Sequence, residues 1–137
     1  MEPTGATERE DLRERTKRFG SRSIKLCQNL PLNRYAQTLG LQFMRAATSV
    51  AANYRAACHA RSRAEFLSKL CIVLEEADES SLWLEYLVEA QFVAPKRAEQ
   101  LLREANELTR IFAAARKTAR GRRSVDQTTL PNNPITK

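Results

Sequence analysis

The chain has 137 residues, of which 42% are hydrophobic and 28% are charged, and its net charge is +7. This composition excludes an intrinsically disordered protein and predicts one domain with one hydrophobic core. No apolar run approaches the ~20 residues that cross a bilayer, and residues 1–7 lack the apolar centre of a signal peptide. We therefore expect a cytoplasmic protein without membrane contact and with a flexible N-terminus over residues 1–7.

Four helices are predicted along the chain. The prolines at 3, 31, 95, 131 and 134 act as boundaries, because proline is excluded from the interior of a helix. Ser62 and Glu65 have the spacing of a capping box, which starts a helix at Arg63, and Pro95 suits the first turn of another. With the apolar periodicity, these signals place the helices at about 7–29, 34–57, 63–91 and 95–119. Residues 120–137 lose the periodicity and are predicted to form a disordered tail.

The predicted fold class is all-α, because the sequence contains no alternating β-branched run and no hairpin turn. Short connections force successive helices to run in opposite directions, which predicts an antiparallel up-down-up-down four-helix bundle over residues 8–119. Gly20 and Gly40 fall inside the first two helices, where each costs about 1 kcal/mol relative to alanine. We interpret both glycines as points of close helix contact or slight bends.

The second helix is rich in alanine around nearly its whole circumference, which predicts that neighbouring helices pack against several of its sides. The second and third helices also carry more apolar side chains than the interior of one bundle needs. Surplus apolar surface predicts self-association. The residues expected at this interface are Leu41, Met44, Leu67, Leu74, Trp83, Tyr86 and Leu87.

The runs RAATSVAANYRAA (45–57) and ARSRAEFLSKLCIVLEEADESSLWLEYL (60–87) resemble the four-helix-bundle family named for proteins encoded within 23S rRNA intervening sequences. The Arg-Ala-Ala-x-Ser-hydrophobic-x-x-Asn run and the Ser-x-x-Glu-Phe start of the third helix carry the resemblance, which covers about residues 8–118. It implies an antiparallel bundle that assembles as a ring-like homopentamer. Related proteins are accessory partners of retroelement reverse transcriptases, in which a basic assembly engages nucleic acid. The resemblance implies no enzyme activity.

The sequence lacks the usual catalytic and metal-binding patterns. His59 is the single histidine, and the three cysteines have no paired spacing that predicts a zinc site. Neither a Glu-x-x-His pair nor a glycine-rich phosphate loop occurs, so we expect no enzyme, no metal and no cofactor. Asn53 lies on the apolar face of its helix. We interpret it as a structural residue that fixes helix register or bonds a neighbouring backbone group, the alternative being a ligand contact.

Basic residues are segregated along the chain. Ten lie between Arg15 and Arg63 with no acidic residue among them, whereas the third helix is predominantly acidic. Such an array favours a phosphate backbone, because each neutralised phosphate releases counterions, although pairing with the acidic helix is the alternative. We expect non-specific binding of RNA or DNA by Arg15, Arg18, Arg22, Lys25, Arg45, Arg55, Arg61 and Arg63. The alternative function is a protein-interaction scaffold or accessory subunit, for example of a reverse transcriptase or another polymerase, without nucleic-acid contact.

Overall fold

A computed structural model describes the backbone of residues 5–129 and the side chains of residues 11–121. Its elements are four α-helices, and no strand occurs within residues 5–129. The helices are α1 (Gly5–Gln28), α2 (Arg34–Cys58), α3 (Arg63–Glu89) and α4 (Pro95–Thr129). The all-α fold class is confirmed, as are the predicted starts of α2, α3 and α4.

The last helix is longer than the sequence predicted. α4 ends at Thr129, ten residues beyond the expected end, so the first part of the predicted tail is helical. Residues 130–137 of that tail lie outside the described residues, as do residues 1–4 of the predicted flexible N-terminus. The prediction relied on apolar periodicity, which indicates burial. Arginine and glutamine in this stretch have good helix propensity even where no face is apolar.

Side-chain caps fix the starts of the two central helices. The Asn33 side chain accepts a hydrogen bond from the N–H of Ala36 at 2.9 Å, at the start of α2. The Ser62 hydroxyl accepts from the N–H of Glu65 at 3.1 Å, at the start of α3. Each bond satisfies one of the amide groups that a helix leaves unpaired in its first turn.

The end of α3 is a Schellman-type turn. Gln91 adopts a left-handed backbone conformation, with a φ angle of 65°. Its N–H bonds to the carbonyl of Val88 at 2.9 Å, and the N–H of Phe92 bonds to the carbonyl of Leu87 at 3.0 Å. This turn ends α3 at Glu89, before the predicted end at 91. A non-glycine residue pays a steric penalty in this conformation.

The core receives large side chains from all four helices. Phe19 of α1, Phe43 of α2, Leu84 of α3 and Phe112 of α4 are each at most 1% exposed. The ring of Tyr54 packs against that of Phe112 with 5.3 Å between centroids. Full burial of such a side chain contributes about 1.5–3 kcal/mol, so this shared core provides much of the stability of the fold.

The alanine-rich helix α2 packs against both α1 and α3. Ala36, Ala46 and Ala47 are fully buried, and Ala57 is nearly so. Side chains of one methyl group let two neighbouring backbones approach the same helix. The prediction that α2 is packed on several sides is therefore confirmed.

Each helix contacts the next one along the chain, and α1 also contacts α4. The connections span only residues 29–33, 59–62 and 90–94. A Cβ atom added at Gly20 meets Thr48 of α2 at 3.7 Å, and one added at Gly40 collides with the side chain of Leu30. Gly20 marks a close approach between α1 and α2, as predicted. Gly40 marks a close approach of α2 to the connection that follows α1, where the side chain of Leu30 must move to admit a larger residue.

Candidate nucleic-acid interface

The predicted basic row on α1 separates into paired and unpaired residues. Arg15 donates two hydrogen bonds to Glu104, from Nη2 at 2.6 Å and from Nε at 3.0 Å, and its Nη2 also lies 3.0 Å from Glu107. These hydrogen bonds raise the pKa of Arg15, mainly through Glu104. Nucleic-acid binding by Arg15 stays a prediction, and the pairing disfavours it because the charge of Arg15 is already matched within the protomer. The carboxylate partners of Arg15 lie on α4, whereas the alternative drawn from the sequence was pairing with the acidic third helix.

Arg22 and Lys25 lie together at the end of α1, in a groove shared with the first turns of α4. The groove encloses about 340 Å³, and its polar lining comes from Arg22, Lys25, Asn29, Arg97 and Gln100. No acidic side chain is among its lining residues. Three cations with two amides form an environment suited to a phosphate group. We call this site the α1–α4 groove.

Arg97 is a site residue that the sequence analysis missed. It lies in the first turn of α4, within three residues of Pro95, and it is exposed. The missed signal was topological, since a bundle with short connections brings the start of its fourth helix beside the end of its first. Arg18 is exposed further back along α1 and has no acidic partner among the described side chains.

A second group of predicted residues surrounds the connection between α2 and α3. Arg55 lies in the last turn of α2, and Arg61 and Arg63 flank the Ser62 cap of α3. All three are exposed. The guanidinium groups of Arg55 and Arg61 have no carboxylate within ion-pairing distance in the described part of the chain. This group is separate from the α1–α4 groove.

Arg45 joins neither group. Its Nη2 lies 3.5 Å from Glu79 of α3 and donates to Gln42 at 3.2 Å. The side chain remains 59% exposed, so the ion pair is a loose surface contact. Arg45 shares its charge with the acidic third helix, in the manner of the predicted alternative.

The carboxylate of Glu76 lies beside this pair. Its Oε2 is buried and has no hydrogen-bond partner within the described residues. Burial raises the pKa of Glu76, and the charges of Glu79 and Glu75 raise it further, while Arg45 lowers it. Ionised Glu76 is therefore destabilising where it lies.

The seven predicted interface residues differ in exposure. Leu87 is fully buried in the protomer core, so its assignment to an interface is wrong. The sequence shows that α3 has surplus apolar residues, but it does not show which of them are buried within a single protomer. Leu41 and Tyr86 are exposed, at 59% and 45%. The others are half-buried: Met44, Leu67, Leu74 and Trp83.

The three residues predicted to have structural roles, Ser62, Glu65 and Asn53, all form hydrogen bonds near or within their own helices. Ser62 caps α3, and the carboxylate of Glu65 accepts from the N–H of Arg61 at 3.2 Å, so the pair acts as a capping box displaced by one residue. Asn53 is half-buried and donates to the carbonyl of Ser49 at 2.9 Å, one turn back in α2. That bond is to a backbone group, as one interpretation expected, but it lies within its own helix.

No group of three His, Cys, Asp or Glu side chains among the described residues is arranged to hold a metal ion. No described helix is long and apolar enough to span a bilayer.

The sequence pattern of the family described as 23S rRNA-intervening sequence protein matches residues 8–114. No curated protein matches the chain significantly. Among solved structures, the chain is similar to a protein with unknown function from the S23 ribosomal protein family of Bacteroides thetaiotaomicron, at 29% identity and a TM-score of 0.73. That similarity covers 77% of this chain and 98% of the other. Because the family match spans well over half of its length, the chain belongs to the 23S rRNA-intervening sequence protein family.

Proposed function

We propose that this protein is a non-catalytic, homo-oligomeric four-helix bundle that binds RNA or DNA without sequence specificity, through phosphate contacts. The observation that carries the proposal is the α1–α4 groove, in which Arg22, Lys25 and Arg97 converge with no carboxylate in the lining. A phosphate oxygen accepts hydrogen bonds from such groups, and each neutralised phosphate releases counterions. The net charge of +7 adds long-range attraction.

In this proposal the helices of the bundle are antiparallel, and copies of the bundle assemble into a ring. Two contacts between α1 and α2 support the antiparallel orientation. Gly20 approaches Thr48, whereas Cys27, later in α1, bonds to Gly40, which is earlier in α2. Exposed apolar residues on α2 and α3 support self-association, and the family resemblance favours five copies. Free thiols on all three cysteines suit a reducing compartment, and therefore the cytoplasm.

The alternative function is a scaffold or accessory subunit that binds a protein, for example a polymerase or reverse transcriptase. It is favoured by two exposed apolar side chains, Leu32 of the connection between α1 and α2 at 97% exposure and Tyr35 of the first turn of α2 at 71%. Apolar side chains at such exposure are typical of surfaces that bind proteins.

Titration of a fluorescent single-stranded RNA and a DNA duplex at 50 and 200 mM salt tests the proposal. Neutralising Arg22, Lys25 and Arg97 together removes up to three phosphate contacts for each protomer in contact. The slope of log affinity against log salt then becomes shallower by roughly 2 for the single strand and 3 for the duplex. Absence of binding by the native protein at 50 mM salt would refute the proposal and favour the scaffold.

A matched pair of single variants controls for general loss of charge. Arg97→Gln reduces the slope by about 1, as expected for one phosphate contact. Arg103→Gln removes the same charge from α4, but this arginine is paired with Glu99 at 3.1 Å, so its effect is smaller. Equal effects of the two variants would show that net charge, and not the α1–α4 groove, determines the affinity.

A further inference from the structure

We infer that copies of this chain associate head to tail, with a groove between α1 and α2 of one copy receiving the outer face of α3 of the next. The inference rests on the self-association proposed above. It goes further by assigning the two surfaces that meet and the kind of symmetry that relates them.

The receiving surface is an apolar groove of about 210 Å³ between α1 and α2, which we call the α1–α2 groove. Ile24 and Leu41 stand on its walls at 37% and 59% exposure, and Met44 is half-buried beside them. No charged side chain is among its lining residues. The Cys27 thiol in its floor donates to the carbonyl of Gly40, and burial raises the pKa of Cys27 to about 11, so the floor is uncharged at neutral pH.

The surroundings of this groove are basic. From Arg15 to Cys58, α1 and α2 contain no aspartate or glutamate. Lys17 is exposed two turns before Ile24 of the groove, and Arg34 is exposed one turn before Gln37 of its lining. The α1–α2 groove is therefore an uncharged depression in a positive surface, which favours an apolar group surrounded by negative charge.

The outer face of α3 has this composition. Leu82 and Tyr86 are 44% and 45% exposed. Asp78, Glu85 and Glu89 are exposed too, and the i, i+4, i+7 and i+11 spacing from Asp78 through Leu82 places them on one side of the helix. We call these five residues the α3 face.

The α3 face has a partly fixed geometry. The ring of Tyr86 lies 6.0 Å from that of Trp83 between centroids. The indole N–H of Trp83 donates to Glu79 at 3.0 Å, which holds the indole in place. A side chain that is already ordered loses less conformational entropy when it enters an interface.

Charge decides which surfaces can meet. Two α1–α2 grooves brought together repel each other, as do two α3 faces, so a two-fold interface of either kind is disfavoured. The groove of one copy and the α3 face of another attract each other and join two apolar centres. An interface between two different surfaces is heterologous, and it closes into a ring when the rotation between copies permits.

This association leaves the α1–α4 groove accessible. Arg22 and Lys25 line that groove on the side of α1 that faces α4, whereas Ile24 lines the α1–α2 groove on the side that faces α2. Self-association and phosphate binding therefore use different sides of the same helix.

Two surface variants of the full chain test the inference by light scattering coupled to size-exclusion chromatography. Leu41→Glu places a carboxylate in the α1–α2 groove, and the double variant Leu82→Glu/Tyr86→Glu removes the apolar centre of the α3 face. Each variant damages every interface in its own assembly, so each alone has the protomer mass of 15.6 kDa. A mixture has one intact groove and one intact α3 face for each pair, and forms particles of twice that mass and no larger.

The control is Ala114→Glu, which adds the same charge at an exposed position of α4, outside both surfaces, and keeps the native mass. Circular dichroism establishes that each variant is folded. If Leu41→Glu or the double variant alone keeps the native mass, or if the mixture stays at the protomer mass, the assigned pairing is wrong while self-association stands. A native protein of protomer mass at micromolar concentration would overturn self-association itself, and the pairing with it.

Discussion

Replacing Arg15 by methionine tests the assignment of this residue to the interior of the protomer. The three contacts to Glu104 and Glu107, at 2.6–3.0 Å, hold a side chain that is only 25% exposed, and Glu104 is 17% exposed. A hydrogen bond to a charged group contributes about 1.5–3 kcal/mol net, and partial exposure reduces this. Methionine retains the aliphatic packing, so we expect a loss of about 1–3 kcal/mol from the free energy of unfolding. The melting temperature falls by roughly 3–10 °C.

Urea denaturation followed by circular dichroism measures this loss, at one protomer concentration because association contributes to stability. A double-mutant cycle with Glu104→Gln isolates the pair, with an expected coupling of about 0.5–3 kcal/mol. Arg18→Met, one turn along α1 and exposed, is the matched control and changes stability by less than about 0.5 kcal/mol. The nucleic-acid affinity of folded Arg15→Met stays near that of the native protein. Unchanged stability together with a weakened affinity would refute the reasoning and return Arg15 to the binding surface.

Four further substitutions test the energetics of the fold by the same denaturation assay. Gly20→Ala raises the free energy of unfolding by about 0.5–1 kcal/mol, because alanine has the higher helix propensity and the added methyl group lies at ordinary contact distances from Thr48. Gly40→Ala gains the same helix propensity but must displace the side chain of Leu30, so this variant is the less stable of the two. Gln91→Gly stabilises by about 0.5–1 kcal/mol by relieving a left-handed conformation, and no gain would contradict that strain. Glu76→Gln stabilises at pH 7, because it removes a carboxylate whose ionised form is disfavoured in the folded state. The folded state binds the proton more tightly, so the gain fades as the pH falls through the raised pKa of Glu76 towards the ordinary carboxyl pKa of 4.5 and is absent well below it. A gain independent of pH would contradict the assignment.

Local chemistry made most helix boundaries predictable. Pro95 and the pair Ser62 and Glu65 signal helix starts within a few residues of sequence, and the structure begins its helices there. The C-terminal ends were harder. The turn at Gln91 uses a residue that carries no sequence signal for a left-handed conformation, and α4 continues where apolar periodicity has already stopped.

The candidate site was only partly predictable, because it depends on how the helices are rotated about their axes. Spacing alone groups Arg15 with Arg22, yet one side chain meets two carboxylates of α4 and the other lines the α1–α4 groove. Arg97 is far from both in sequence, so its place in the groove follows only once α1 and α4 are known to be neighbours. Leu87 shows the same limit for apolar residues, since its burial depends on which side of α3 faces the core.

The short connections between the helices have a kinetic consequence. Most neighbours in space are neighbours in sequence, so little chain entropy is lost when each successive pair of helices docks, and low contact order of this kind is associated with folding in roughly microseconds to milliseconds. The contact between α1 and α4 differs, because Arg15 and Glu104 are separated by 89 positions. We therefore expect the bundle to close along this seam late in folding, and the α1–α4 groove to form only when the first and last helices meet.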